Sequence, residues 1–122
     1  MENKPKVIKA SLSFNQWVKQ YVLLWNGFVQ LTDAEIDLLI EFITKYFELK
    51  KNITADTDLY ELLFSTKKRK EIKDKLGISE QVFNNRFTAL KKKGVILEIE
   101  NTYKLSNKII PLQEITFKFE II

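Results

Sequence analysis

The fold is decided by residues 72–94, whose sequence is IKDKLGISEQVFNNRFTALKKKG. Ile72 and Leu76 lie four positions apart, which places both side chains on the same face of a short helix. Gly77 follows directly, and glycine accepts the left-handed backbone that ends many helices. The spacing therefore predicts a helix that stops at a sharp turn, with Ile78 filling the gap before the next element.

A second helix is predicted to begin directly after this turn. Ser79 is a favoured N-cap residue, because its hydroxyl can accept a hydrogen bond from a free amide of the first turn. Apolar residues then recur at the spacing of one helical face, at Phe83, Phe87 and Leu90. Lysines 91–93 suit the negative end of a helix dipole, and Gly94 ends the helix. The two helices are expected to pack together and to leave the opposite face of the second one free.

This pattern resembles the winged helix-turn-helix domains of transcriptional regulators. That family shares the segment apolar-x3-apolar-Gly-apolar-Ser, then apolar-x3-apolar-x2-Leu-x3-Gly, and the chain matches it from Ile72 to Gly94. Residues 95–97 continue as the usual first wing strand. The resemblance implies a mainly α (α+β) fold in which helix 80–93 reads the major groove of double-stranded DNA and helix 67–76 holds the DNA backbone. Many winged helices bind proteins instead.

The remaining elements are predicted from local signals on both sides of this stretch. Thr32 and Glu35 form a capping box that starts a helix ending near residues 50–51. A short helix is expected from Thr57 or Asp58, and Ser65 with Thr66 is expected to cap the basic helix. Residues 95–100 and 102–105 flank Asn101, which predicts the β-hairpin of the wing.

The two ends of the chain are predicted to add a strand each. Residues 6–13 alternate in polarity, a helix is expected over 14–26, and residues 115–121 alternate again after Pro111. We therefore expect a single domain over residues 1–122. Its parts are an N-terminal extension (1–30), a winged-helix core (31–106) and an extra C-terminal strand (107–122).

Composition excludes several classes of function. The 122 residues include no cysteine and no histidine, which rules out disulfides, thiolate chemistry, Ser-His-Asp triads and the usual zinc sites. With three glycines there is no glycine-rich phosphate loop, and we expect neither an enzyme nor a cofactor. The longest apolar run is 22–25 and no signal peptide is visible, so a cytoplasmic protein without a membrane span is expected.

Positive charge is concentrated beside the predicted turn. The formal net charge is +4, and residues 67–75 hold six cations against two carboxylates. This suits a polyanionic partner. Asn and Gln amides can pair with adenine edges, and lysines can reach phosphates, so the expected DNA-binding residues are Lys67, Lys68, Arg69, Ser79, Gln81, Asn84, Asn85, Thr88, Lys91, Lys92 and Lys104. Glu80 would repel phosphates unless it accepts from a cytosine amino group.

A second class of function stays open at this point. A structural or assembly protein, such as a phage virion component, could use the same fold for contacts with other subunits. The apolar helix 14–26, the final strand and the modest net charge favour it, and a homodimer through helix 14–26 is a further alternative. Heavy use of Lys, Ile and Asn hints at a phage or an AT-rich bacterium, hence at the host cytosol or the virion.

Overall fold

The computed structural model describes residues 16, 18–20, 22, 23 and 30–106. Its continuous part runs through helices and then a hairpin: α1 (Asp33–Lys50), α2 (Asp56–Leu63), α3 (Thr66–Leu76), α4 (Glu80–Lys92), β1 (Ile96–Ile99) and β2 (Thr102–Leu105). This mainly helical chain with a small antiparallel hairpin confirms the predicted winged-helix-like class. The strands predicted over 6–13 and 107–122 lie outside the described residues.

Helix α1 begins at the predicted capping box and forms the centre of the core. The Thr32 hydroxyl accepts from the Glu35 amide at 3.2 Å, and the Glu35 carboxylate accepts from the Thr32 amide at 3.4 Å. These bonds satisfy amides that have no partner inside the helix. The buried side chains of α1 include Leu38, Leu39, Phe42 and Ile43, and the helix packs against α2, α3 and α4.

Helix α2 begins at Asp56, earlier than the predicted start at Thr57 or Asp58. Its N-cap residue, Ala55, makes no side-chain hydrogen bond, so the sequence carries no capping signal there. Burial of Leu59 and Leu63 fixes the helix instead.

Helix α3 starts at residue 66 rather than 67. The Ser65 hydroxyl caps it by accepting a hydrogen bond from the Lys68 amide at 3.3 Å, which confirms the predicted cap.

The turn between α3 and α4 lies at the predicted glycine. Gly77 has a φ of 64°, a value that residues with a Cβ adopt only with strain. The amides of Gly77 and Ile78 donate to the carbonyls of Asp74 and Lys73, each at 3.2 Å. The Ser79 hydroxyl accepts from the Val82 amide at 3.2 Å and caps α4. Helix α4 ends at residue 92, one position before the predicted end.

The hairpin confirms the predicted wing. Strands β1 and β2 pair antiparallel, with Ile96 opposite Leu105 and Ile99 opposite Thr102. Glu100 and Asn101 between them have φ values of 50° and 64°, the pattern of a tight two-residue hairpin turn. Strand β1 is shorter than predicted, since it spans Ile96–Ile99 rather than 95–100.

The described part of the N-terminal extension joins the same core. Residues 16, 18–20, 22 and 23 have helical backbone, and Val18 and Val22, four positions apart, are both buried. Leu23 is 42% exposed. The predicted end of this helix and the predicted homodimer contact through 14–26 involve residues that the structure does not describe. Across the described residues no helix has both the length and the apolar character needed to cross a bilayer.

Candidate nucleic-acid interface

Polar side chains cover the face of α4 that points away from the core. Gln81, Asn85, Thr88 and Lys92 follow one another at intervals of four, three and four positions, so they form one line along the helix, here called the α4 stripe. All of them are exposed, and so is Ser79 just before them. The structure therefore places outward the amides that the sequence indicated.

Asn84 lies to one side of the α4 stripe, towards α3. It is exposed and lines a cleft between the two helices together with Glu80 and Phe83 of α4. The α3 wall of the cleft consists of Thr66, Arg69, Lys70 and Lys73. Two lysines and an arginine of α3 thus line the same cleft as the N-terminal half of α4, which contributes the acidic residue Glu80.

Lys70 and Lys73 belong to the basic stretch 67–75 that was expected to suit a polyanion, but neither is among the expected DNA-binding residues. From this stretch the prediction named only Lys67, Lys68 and Arg69. The signal that identifies the missed pair is periodicity, because positions 66, 70 and 73 share one face of a helix. That face is turned towards α4.

The opposite flank of α3 is paired with α1. The Glu71 carboxylate accepts from Lys45 at 3.2 Å and from Lys68 at 3.3 Å. These two hydrogen bonds hold the pKa of Glu71 below its ordinary value. Lys75 pairs with Glu41 at 3.0 Å. Lys68 therefore contributes to the contact between α3 and α1, whereas Lys67 is exposed.

Arg69 holds the wing against the helices. Its Nε donates to the Phe64 carbonyl at 2.9 Å, and its guanidinium carbon lies 4.9 Å from the Phe87 ring centre and 5.3 Å from that of Tyr103. The rings of Phe87 (α4) and Tyr103 (β2) meet edge to face at 5.1 Å. A guanidinium near both rings adds a cation–π attraction to this pair. Arg69 thus connects α3, α4 and β2.

Lys91 repeats this arrangement. Its Nζ lies 5.7 Å from the Phe87 ring centre, 5.4 Å from that of Tyr103, and 3.5 Å from the Glu98 carboxylate of β1. Lys92 is exposed and Lys104 is half-buried. Two of the predicted phosphate contacts, Arg69 and Lys91, are therefore also structural contacts of the wing.

We expect Arg69→Ala to lower the free energy of unfolding by about 2 kcal/mol, because a charge-assisted hydrogen bond and two ring contacts are lost. Arg69→Lys should recover little of this, since an ammonium group lacks the planar, stacking guanidinium. Urea denaturation of both variants measures the change, with Lys67→Ala, at an exposed position of the same helix, as the control. Full recovery in the lysine variant would show that only charge matters.

A buried ion pair fixes the far end of α4 to the start of α1. The Glu35 side chain is 6% exposed, and its carboxylate is bound by the Lys93 ammonium, which lies 3.0 Å from Oε2 and also contacts Oε1. The same ammonium donates to the Gln30 carbonyl at 3.0 Å. Burial alone would raise the pKa of Glu35, but Lys93 and the Thr32 hydrogen bonds hold it below its ordinary value.

Comparison of the chain with protein-family models, curated proteins and solved structures found no match.

Proposed function

We propose that the protein binds double-stranded DNA, with α4 in the major groove and α3 beside the phosphate backbone. The observation that carries this proposal is the exposed amide-bearing α4 stripe bordered by the lysine-lined wall of α3. In helix-turn-helix proteins the second helix contacts base edges while the first crosses the backbone. Control of transcription or replication in the cytosol is the role that fits such binding.

The distribution of charge supports the same docking. Lys70 and Lys73 line the cleft next to Asn84, and Lys67 is exposed on the same helix. The cations on the other flank of α3 are held in ion pairs, Lys68 with Glu71 at 3.3 Å and Lys75 with Glu41 at 3.0 Å. Glu80 lines the same cleft, but among the described residues no ion pair joins Lys70 or Lys73 to a carboxylate. A positive charge outside an ion pair attracts phosphates more strongly than one that is already paired. The α4-facing side of α3 is thus the better phosphate contact.

We expect the double variant Lys70→Gln, Lys73→Gln to weaken binding to all duplex sequences alike. Each lost phosphate contact should reduce the slope of log affinity against log salt by about 1, so the slope should fall by about 2. A gel shift with a mixed-sequence duplex between about 50 and 200 mM salt measures this slope. The variant Lys68→Gln, Lys75→Gln removes the same charge from the opposite flank and serves as the matched control.

Two outcomes would contradict the proposal. Equal slopes in the two double variants would mean that binding depends on net charge alone and not on the α4-facing side of α3. An unaltered protein that fails to shift the duplex even at the lowest salt would exclude DNA binding by this surface.

Contact with other protein subunits is the second candidate, and one cleft favours it. Between α2 and the wing, Tyr46, Tyr60 and Tyr103 line a cleft beside Ile99, which is 47% exposed. Asp56 and Glu61 line the same cleft against a single cation, Lys104, so it suits a protein surface better than a phosphate. An assembly role is supported if the duplex is not bound at low salt.

A further inference from the structure

The exposed surface of α4 also indicates which base pairs it can recognise, if α4 enters the major groove as proposed above. We propose that it selects A·T pairs, with the Asn85 amide on adenine and the Val82 methyl groups on the 5-methyl group of thymine. The juxtaposition of an exposed amide and an exposed apolar side chain in the first two turns of α4 carries this inference.

The amide chemistry matches adenine. In the major groove adenine presents the N6 donor beside the N7 acceptor, and a carboxamide offers the complementary acceptor and donor. Guanine presents two acceptors, N7 and O6, which are read best by the paired donors of arginine or lysine. Gln81 and Asn85, four positions apart and both exposed, therefore favour adenine over guanine.

Val82 is the less expected member of this surface. It is 37% exposed although it lies in a helix with a well-formed buried face of Phe83, Phe87 and Leu90. Residues three positions apart on a helix are neighbours, so Val82 and Asn85 are adjacent on the exposed surface of α4. The thymine methyl is the apolar group that the major groove offers, and an apolar side chain is its natural contact.

The cations of α4 are less exposed than its amides or lie far along the helix. Arg86 is half-buried, and Lys91 is held between the Phe87 and Tyr103 rings and Glu98. Lys92 is exposed but is the last residue of α4, whereas base contacts in this motif come from the N-terminal part of the helix. Glu80 lines the α3 cleft beside Lys70 and Lys73, on the side that faces away from Val82.

The first experiment selects duplexes from a library with a randomised centre, using the full chain at low salt. We expect the retained sequences to share a short run of A·T pairs. Retained sequences rich in G·C pairs, or without any base preference, would overturn the inference while leaving DNA binding intact. If no duplex is retained, the proposed function itself fails, so the two failures are distinguishable.

The second experiment assigns the contacts with base analogues in a selected duplex. Replacing thymine by uracil removes the 5-methyl group, and we expect this to weaken binding about fourfold in the unaltered protein, the value of one buried methyl group. The same replacement should have a smaller effect in Val82→Ala, because the remaining Cβ methyl does not extend as far as the two methyl groups of valine. Leu23→Ala, at another exposed apolar position, should keep the full sensitivity to uracil.

The amide contact is tested in the same way with 7-deazaadenine, which lacks the N7 acceptor. We expect 7-deazaadenine to weaken binding about 5- to 150-fold in the unaltered protein and to weaken it little further in Asn85→Ala. Circular dichroism of each variant confirms that it is folded. Sensitivity to either analogue that persists undiminished in the matching variant would overturn that contact.

Discussion

Replacing Phe42 with alanine is expected to lower the free energy of unfolding by about 3–5 kcal/mol, the largest effect of any substitution considered for this protein. Phe42 is fully buried in α1. Its ring centre lies 5.0 Å from that of Phe64, 6.2 Å from that of Phe83 and 5.9 Å from that of Phe87. Truncation would therefore leave a cavity among three rings that cannot all move inward together.

Urea denaturation followed by circular dichroism measures this loss. Phe47→Ala is the matched control, because Phe47 lies in the same helix but is half-buried and meets the Tyr46 ring edge to face at 5.2 Å. A loss in Phe42→Ala no greater than in this control would show that the aromatic cluster does not hold α1 to α4.

The elements that could be predicted from the sequence are those specified by short-range chemistry. The Thr32–Glu35 capping box, the Ser79 cap and the left-handed Gly77 each involve residues within three positions of one another, and the structure has all of them. The hairpin turn at Asn101 belongs to the same class. The predicted start of α2 was wrong. No side chain caps this helix, so the packing of Leu59 and Leu63 decides where it begins.

The roles of the cations could not be predicted in this way. A lysine or arginine in a sequence has the same charge whether it meets a phosphate, a carboxylate or an aromatic ring. Arg69 contacts the Tyr103 ring, which is 34 positions later in the sequence, and Lys45 pairs with Glu71, which is 26 positions later. These partners depend on how the helices pack. Within the basic run of residues 67–70, Lys70 therefore lines the α4 cleft, Lys68 contributes to the contact with α1, and Arg69 contacts the wing.

The same reasoning applies to Lys93. The sequence predicted only that it lies in the last turn of a helix, where its positive charge interacts favourably with the helix dipole. Its partner, Glu35, lies 58 positions earlier and also belongs to the capping box of α1. One carboxylate thus joins the start of the first helix of the core to the end of the helix that is proposed to read DNA. Any change in this pair should affect how α4 is held.

Lys93→Met is expected to lower the free energy of unfolding by about 2–4 kcal/mol at neutral pH, because it leaves the buried Glu35 carboxylate without its counter-charge. The expected loss of stability is smaller than for a fully buried pair, because the Lys93 side chain is 32% exposed. Methionine keeps the length of the side chain and its packing. Denaturant unfolding at several pH values measures the effect.

The pH dependence gives the sharpest test of this pair. In the unaltered protein the pKa of Glu35 is lowered, so its contribution to stability is present above the unfolded value of about 4.3 and is lost as the pH falls through the folded value. In Lys93→Met, burial without the ammonium should raise that pKa, so the protonated carboxyl is favoured on folding. The difference in unfolding free energy between the two proteins should therefore begin to shrink at a pH above about 4.3, where the carboxyl group of the variant takes up a proton. It should shrink further below about 4.3, where the unaltered protein loses its ion pair.

Glu35→Gln combined with Lys93→Met is the control, because glutamine can keep the capping-box hydrogen bond to Thr32 without carrying a charge. The double variant should recover part of the stability that Lys93→Met loses at neutral pH, since no buried charge remains unpaired. It should also lose the pH dependence that is specific to this site. A Lys93→Met deficit that stays constant from neutral to acidic pH, or a double variant no more stable than the single one, would show that packing by the lysine side chain and not its charge holds α4 to α1.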